Sequence, residues 1–191
     1  MIPYFKFFDF LTRESVVVFN SRTQRKGEYV DQQGRRFGIL MDYENFEKNV
    51  EEGEWIRDFS WLTQPILERG VIIIACVFFP DHLTGRIPLQ TLANMHRFFP
   101  IACPRVSRRR GAGDFGVKDT DTVDARMDQF GKFVIDQTYI TDLVVVTGDG
   151  GFQELLKFAE HRGKGVSLIS AADAVSGRFI IQERQFNLKL V

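Results

Sequence analysis

The chain has 191 residues, 44% of them hydrophobic and 26% charged, with 25 Lys+Arg against 25 Asp+Glu. This is the length and composition of one soluble domain with a core of its own. The zero net charge excludes a globally basic nucleic-acid coat and an acidic tail, but not a local patch. Two cysteines, Cys76 and Cys103, are too few for a disulfide framework or a four-cysteine zinc site. In apolar surroundings they read as reduced thiols, which makes the cytoplasm the expected location. The longest apolar run, 71–79, is far shorter than the ~20 residues of a spanning helix. The N-terminus has neither the basic start nor the small-residue cleavage site of a signal peptide. No membrane partner is expected.

Residues 1–36 read as an N-terminal extension. The stretches 14–20 (ESVVVFN) and 27–30 (GEYV) bracket a polar segment, which predicts a hairpin. The aromatic start, Tyr4, Phe5, Phe7, Phe8 and Phe10, offers rings for stacking on bases. It is read instead as a lid packed over the domain or a contact in a homodimer. From residue 37 to 191 short apolar runs alternate with helical stretches. The pattern predicts strands at 37–41, 71–79, 101–103, 143–147 and 166–170, and helices at 55–69, 88–99, 122–135 and 152–161, with a loop at 105–118. Strands apolar on both faces with helices between them imply an α/β fold with a mainly parallel sheet. Ligands of such sheets bind outside the carboxyl ends of the strands.

Two of the predicted strands run into aspartate. The first ends in Asp42, with Asn45 three residues on, and the second runs through Thr147 and Gly148 to Asp149. A single Asp after a strand is an ordinary helix cap. Two on one sheet edge, each with a polar companion, are harder to dismiss. A third source is the helix at 122–135. On a helix Asp121, Asp124 and Asp128 fall within roughly 60° of one another. This stripe lies beside a core stripe of Val123, Met127, Phe130 and Val134. Like charges at this spacing repel, so the stripe is either solvated or neutralised by a cation. Asp42, Asp124 and Asp149 together make an oxygen-ligand set for a hard divalent ion, Mg²⁺ or Mn²⁺. His82, His96 and His161 are scattered, which argues against zinc. A carboxylate-held metal suits phosphodiester hydrolysis, because it activates water and neutralises the leaving oxygen. The 105–118 loop holds Arg105, Arg108, Arg109, Arg110 and Lys118 with a single acid, Asp114. It stands directly before the acidic helix, so it is read as a phosphate-binding segment.

These residues resemble the NYN domain, a branch of the PIN-like nuclease superfamily. The likeness rests on GILMDYENF around Asp42, on Lys118 with Thr122-Val123-Asp124, and on VVVTGDGGF around Asp149, in that order across 37–170. It implies a Rossmann-like three-layer sandwich and a metal-dependent endoribonuclease. Position by position, Asp42, Asp124 and Asp149 match the family's metal-binding acids, and Asn45 and Thr147 match its polar companions. Asp128 or Asp121 would supplement the acids, while Arg108, Arg109, Arg110 and Lys118 would hold single-stranded RNA. One departure matters: Gly151 stands where the late motif often has a second Asp, and Phe130 where the middle motif has a further acid. A catalytically silent RNA- or protein-binding module with the same fold is therefore the alternative.

Three look-alikes carry less. The glycine triad Gly111, Gly113 and Gly116 spells a dinucleotide fingerprint but follows an arginine run rather than a strand, so no nucleotide cofactor is expected. Asp114-Phe115-Gly116 spells a kinase motif with no kinase catalytic loop before it. Asp119-Thr120-Asp121-Thr122-Val123 resembles the pattern of haloacid-dehalogenase-like phosphatases, which belongs at the end of a strand.

Overall fold

A computed structural model describes residues 16–20, 34–47, 60–85, 98–109, 117–120, 122–171 and 189–190. In chain order the strands are β1 (Val16–Asn20), β2 (Arg35–Asp42), β3 (Gly70–Pro80), β4 (Phe99–Cys103), β5 (Val106–Arg109), β6 (Val117–Thr120), β7 (Asp142–Val146), β8 (Gly165–Ala171) and β9 (Lys189–Leu190). The helices are α1 (Tyr43–Glu47), α2 (Ser60–Leu67), α3 (Val123–Asp136) and α4 (Gln153–His161). Short 3₁₀ turns follow β3 at Asp81–Leu83 and β7 at Gly150–Phe152.

Seven strands form one sheet in the order β4-β3-β2-β7-β8-β1-β9. The first five are mutually parallel, and β1 and β9 extend the sheet as antiparallel strands. The fold is thus α/β with a mainly parallel sheet. Alternation along the strands divides the apolar residues between two cores. Leu40, Cys76, Phe78, Leu143, Val145, Val166 and Leu168 face α3 and α4. Phe37, Ile39, Met41, Ala75, Val77, Val144 and Val146 share the other core with Tyr43 of α1 and Leu62 and Ile66 of α2.

Two glycines let helix α3 sit close to its neighbours, Gly38 to the sheet and Gly131 to α4. A Cβ on Gly38 would stand 2.7 Å from Val134 Cγ1, and one on Gly131 2.7 Å from Leu155 Cδ2. The predicted core stripe is in place: Val123, Met127 and Val134 are buried, and Phe130 meets Phe78 edge-on with ring centroids 5.8 Å apart.

Three expectations need correction or placement. The 105–118 segment is not simply a loop: β5 and β6 pair antiparallel, with Arg108 opposite Lys118 in the register. The two strands read VSRR and VKDT, a sequence with no apolar alternation to announce them. Strand β1 forms as expected, but it pairs with β8 and β9. Its expected hairpin partner, 27–30, lies outside the described residues, as does the aromatic start. Most of the helix expected at 88–99 also lies outside them, and its last residue, Phe99, opens β4. No described helix is long and apolar enough to cross a membrane.

Candidate functional site

From β2 the chain moves outward to β3 and β4, then crosses over α3 to β7 on the other side of β2. The carboxyl ends of β2 and β7 therefore flank the point where the strand order reverses, and that is where open α/β sheets form their ligand crevice. Asp42 ends β2, and Thr147, Gly148 and Asp149 follow β7. In the pleat Asp42 has the parity of Leu40, so it belongs to the α3 side of the sheet.

Asp42 is 5% exposed. Its Oδ1 accepts the Asn45 N–H at 3.1 Å, and Asn45 Oδ1 in turn accepts the Gly148 N–H at 2.7 Å. Asn45 thus ties the turn after β2 to the turn after β7. Asp149 Oδ1 accepts the Gly151 N–H at 2.8 Å and caps the following 3₁₀ turn. Thr147 is fully buried, and its Oγ1 accepts the Asp149 N–H at 3.1 Å. The two polar companions are loop builders: they fix the backbone that presents the acids.

Burial drives the Asp42 pKa from 3.8 up to about 7. The Asn45 N–H opposes the rise, while the charges of Asp124, Glu44 and Asp149 add to it. Asp42, Asp124 and Asp149 therefore share one electrostatic field. Glu44, to which the sequence reading gave no role, is a fourth acid in it. Its place beside Asp42 in the first turn of α1 was visible only once that turn was known to be helical.

Sharing a field is not the same as sharing a metal. Among the described residues no three His, Cys, Asp or Glu groups come together closely enough to hold an ion. The acids fit a cation in charge and donor chemistry, but not as a closed three-ligand cage. Asp128, one turn further along α3, is engaged elsewhere, its Oδ2 2.7 Å from Lys132 Nζ. Asp121 and Arg110 lie outside the described residues. Arg108 and Arg109 stand on β5 and Lys118 on β6. The ribbon leaves the carboxyl edge after β4 and returns to the start of α3, where Thr122 Oγ1 donates to the Pro104 carbonyl at 2.9 Å.

The opposite edge of the sheet holds a pair that the sequence reading did not single out. Asp142, at the start of β7, is buried and bonded through Oδ1 to Arg35 Nη2 at 2.6 Å. The Thr141 hydroxyl donates to its Oδ2 at 2.6 Å. With a cation and a donor in place this acid is structural.

No family model matches the chain, and no curated protein matches it. Among solved structures it is similar to a protein of unknown function from Vibrio parahaemolyticus. The TM-score is 0.56 at 18% identity, over 81% of this chain and 91% of the other. At that identity the likeness speaks for the fold alone.

Proposed function

We propose that this chain is a PIN-like nuclease of the NYN type, a metal-dependent endoribonuclease acting on single-stranded RNA. The observation that carries the reading is Asp42. It is a buried carboxylate at the strand-order reversal, its proton affinity raised by burial and by three further acids. Such a field is unfavourable without a cation. Mg²⁺ is commonly held by one or two carboxylates, retained waters and the substrate's own phosphate, so a closed cage of side chains is not required. Asp42 and Asp149 would bind it, with Asp124 as the third acid. The ion would supply an activated water and neutralise the leaving oxygen. Asn45 and Thr147 would hold the two turns at a fixed separation. With Oδ1 of Asp42 taken by the Asn45 N–H, a proton on this group sits on Oδ2, and near neutral pH it can be gained or given up.

The test is a labelled single-stranded RNA incubated with Mg²⁺ or Mn²⁺, with EDTA as control. Wild type should cut, EDTA should stop it, and Asp149→Asn should lower the rate by orders of magnitude while RNA binding persists. A folded wild type that binds RNA but cuts in neither metal sinks the nuclease reading.

The second reading is the catalytically silent binding module. Gly151 favours it, as does the lack of a three-acid cage among the described residues. The phosphatase reading has less behind it. Asp119 lies in the antiparallel ribbon, whereas that chemistry needs an acid at the carboxyl end of a strand in the main sheet.

A further inference from the structure

Among the described residues the large apolar side chains left exposed are Leu67, Val71, Ile73, Phe99, Phe133 and Tyr139. Every one lies toward the amino ends of the strands. Leu67 ends α2, Val71 and Ile73 begin β3, Phe99 opens β4, Phe133 lies in the last turn of α3, and Tyr139 leads into β7. Single exposed apolar residues are ordinary, but a gathering at one end of a molecule marks a contact surface.

Strand β3 gives this surface its form. It pairs with β2 from Gly70 to Phe78, but with β4 only from Cys76 to Pro80. From Gly70 to Ala75 its β4 side has no strand partner in the described sheet. An open edge is a template for another strand, and proteins usually guard it with charge or proline. The open stretch reads GVIIIA and has neither. The register shift at Phe37/Gly38, which leaves Ile73 without a partner, lies in the β2 ladder and does not close the other side. Val71 is 50% exposed and Ile73 43%.

Two cations flank the stretch. Arg36 is exposed and is the register partner of Val71, so the two side chains stand beside each other on the α3 side of the sheet. Arg69, half-buried, directly precedes Gly70. Burial, and then the charge of Arg35, hold the Arg69 guanidinium below its ordinary pKa, against the pull of Glu68. Arg35 and Arg162 at this edge each have a carboxylate within 2.6 Å. The ion pairs among the described residues give Arg36 and Arg69 none. A bilayer has no backbone to match an open strand edge. A second copy would bring the same cations and, in GVIIIA, no acid. An extended acidic polypeptide supplies both the backbone and the charge.

We propose that the open half of β3 is a docking edge for an extended acidic and apolar segment of a partner protein, which adds there as a strand. Its backbone pairs with residues 70–75, its apolar side chains cover Val71 and Ile73, and its carboxylates lie beside Arg36 and Arg69. The edge is at the opposite end of the strands from Asp42 and Asp149, so an occupant leaves the crevice open. The inference is independent of the nuclease reading.

The probe is the capped peptide Asp-Val-Thr-Val-Thr-Val-Asp, titrated into the isotope-labelled full chain and followed by NMR. Its control is Lys-Val-Thr-Val-Thr-Val-Lys. Amide signals of residues 71–75 should shift with the acidic peptide, while those of 143–146, in the middle of the sheet, stay. The basic peptide should bind about tenfold more weakly, since like charges then face the arginines. Ile73→Lys should abolish binding. Arg36→Glu should weaken the acidic peptide and strengthen the basic one, an exchange of preference that a loss of fold does not produce. Lys157→Ala, on α4 where Lys157 pairs with Glu154, should bind as wild type. The proposal is overturned if 71–75 do not shift, if wild type binds both peptides alike, or if Arg36→Glu leaves the preference unchanged. Light scattering and flotation with phosphatidylserine vesicles identify the rival occupants. A wild-type dimer that Ile73→Lys makes monomeric assigns the edge to a second copy, and vesicle binding without peptide binding assigns it to a membrane surface; either result overturns the proposal.

Discussion

Asp42 shows in one side chain how the site works against the fold. In an unfolded chain it titrates near 3.8, and in the folded protein at about 7. Below 3.8 both states are protonated and Asp42 makes no difference to stability. Between 3.8 and 7 the folded state keeps a proton that the unfolded state has lost, so stability falls as pH rises. Above 7 the full penalty is in force, up to ~4 kcal/mol for a shift of this size. Asp42→Asn removes the ionisation and most of the penalty. In urea melts the variant should be more stable than wild type at pH 8 by a few kcal/mol and close to it at pH 4. A wild type that is the more stable of the two at pH 8 would show that the carboxylate has a cationic partner. Mn²⁺ must displace the Asp42 proton, so its stabilisation of wild type should grow as pH rises through 7, and Asp42→Asn should lose most of it. Gly151 offers the complementary change. A Cβ there would meet Asp149 Oδ1 at 3.4 Å, an ordinary contact, and the backbone is not in the left-handed region. Gly151→Asp should fold, lower stability in EDTA at pH 8 by about 1 kcal/mol through repulsion, and raise the gain from added Mn²⁺. Melts of both proteins in EDTA and in Mn²⁺ measure each part, and an unchanged Mn²⁺ response would show that position 151 does not face the cation.

At the scale of elements, α3 sets the distance between Asp124 and Asp42, and its seat depends on Gly38. An added methyl there reaches 2.7 Å from Val134 Cγ1, and valine on a helix has little rotamer freedom to yield. Gly38→Ala should therefore cost about 1–3 kcal/mol and lift α3 slightly from β2. Because Asp124 helps to raise the Asp42 pKa, the same variant should lower that pKa, which a carboxyl titration by NMR would read. A loss of stability with no change in titration would mean that α3 yields elsewhere. The elements also differ in how well the sequence shows them. Strands β2, β3, β7 and β8 are legible because buried parallel strands are continuous apolar runs, and α3 because its stripe keeps helical spacing. The ribbon is not, since VSRR and VKDT carry no apolar alternation. Strand β1 reads as a strand, but its pairing with β8, far along the chain, leaves no mark in the local sequence. Asp42 and Asp149 stand out as strand-end acids. The Asn45–Gly148 bond does not, because it joins residues 103 apart that only the sheet brings together.

The whole molecule places stabilising and repelling acids at opposite ends of its strands. At the amino edge Asp142 is buried with Arg35, whose side chain is 14% exposed and whose guanidinium also lies 5.2 Å from the Phe37 ring centroid. At the carboxyl edge Asp42 is buried among other acids. Removing Arg35 leaves Asp142 a buried charge without its cation, and losses of this kind run to about 3–5 kcal/mol. Arg35→Ala should thus unfold at markedly lower urea at pH 8 while keeping the wild-type increment of stability from Mn²⁺, because the site end of the sheet is untouched. Asp42→Asn should do the reverse, gaining stability and losing that increment. Chemical melts of wild type and both variants, each with EDTA and with Mn²⁺, give all the terms at once. The double variant should be additive to within about 0.5 kcal/mol, since the two groups share no partner and stand at opposite ends of β2. Strong coupling between them would mean that the two edges communicate through β2, and the partition of the sheet into a stabilising end and a functional end would fail.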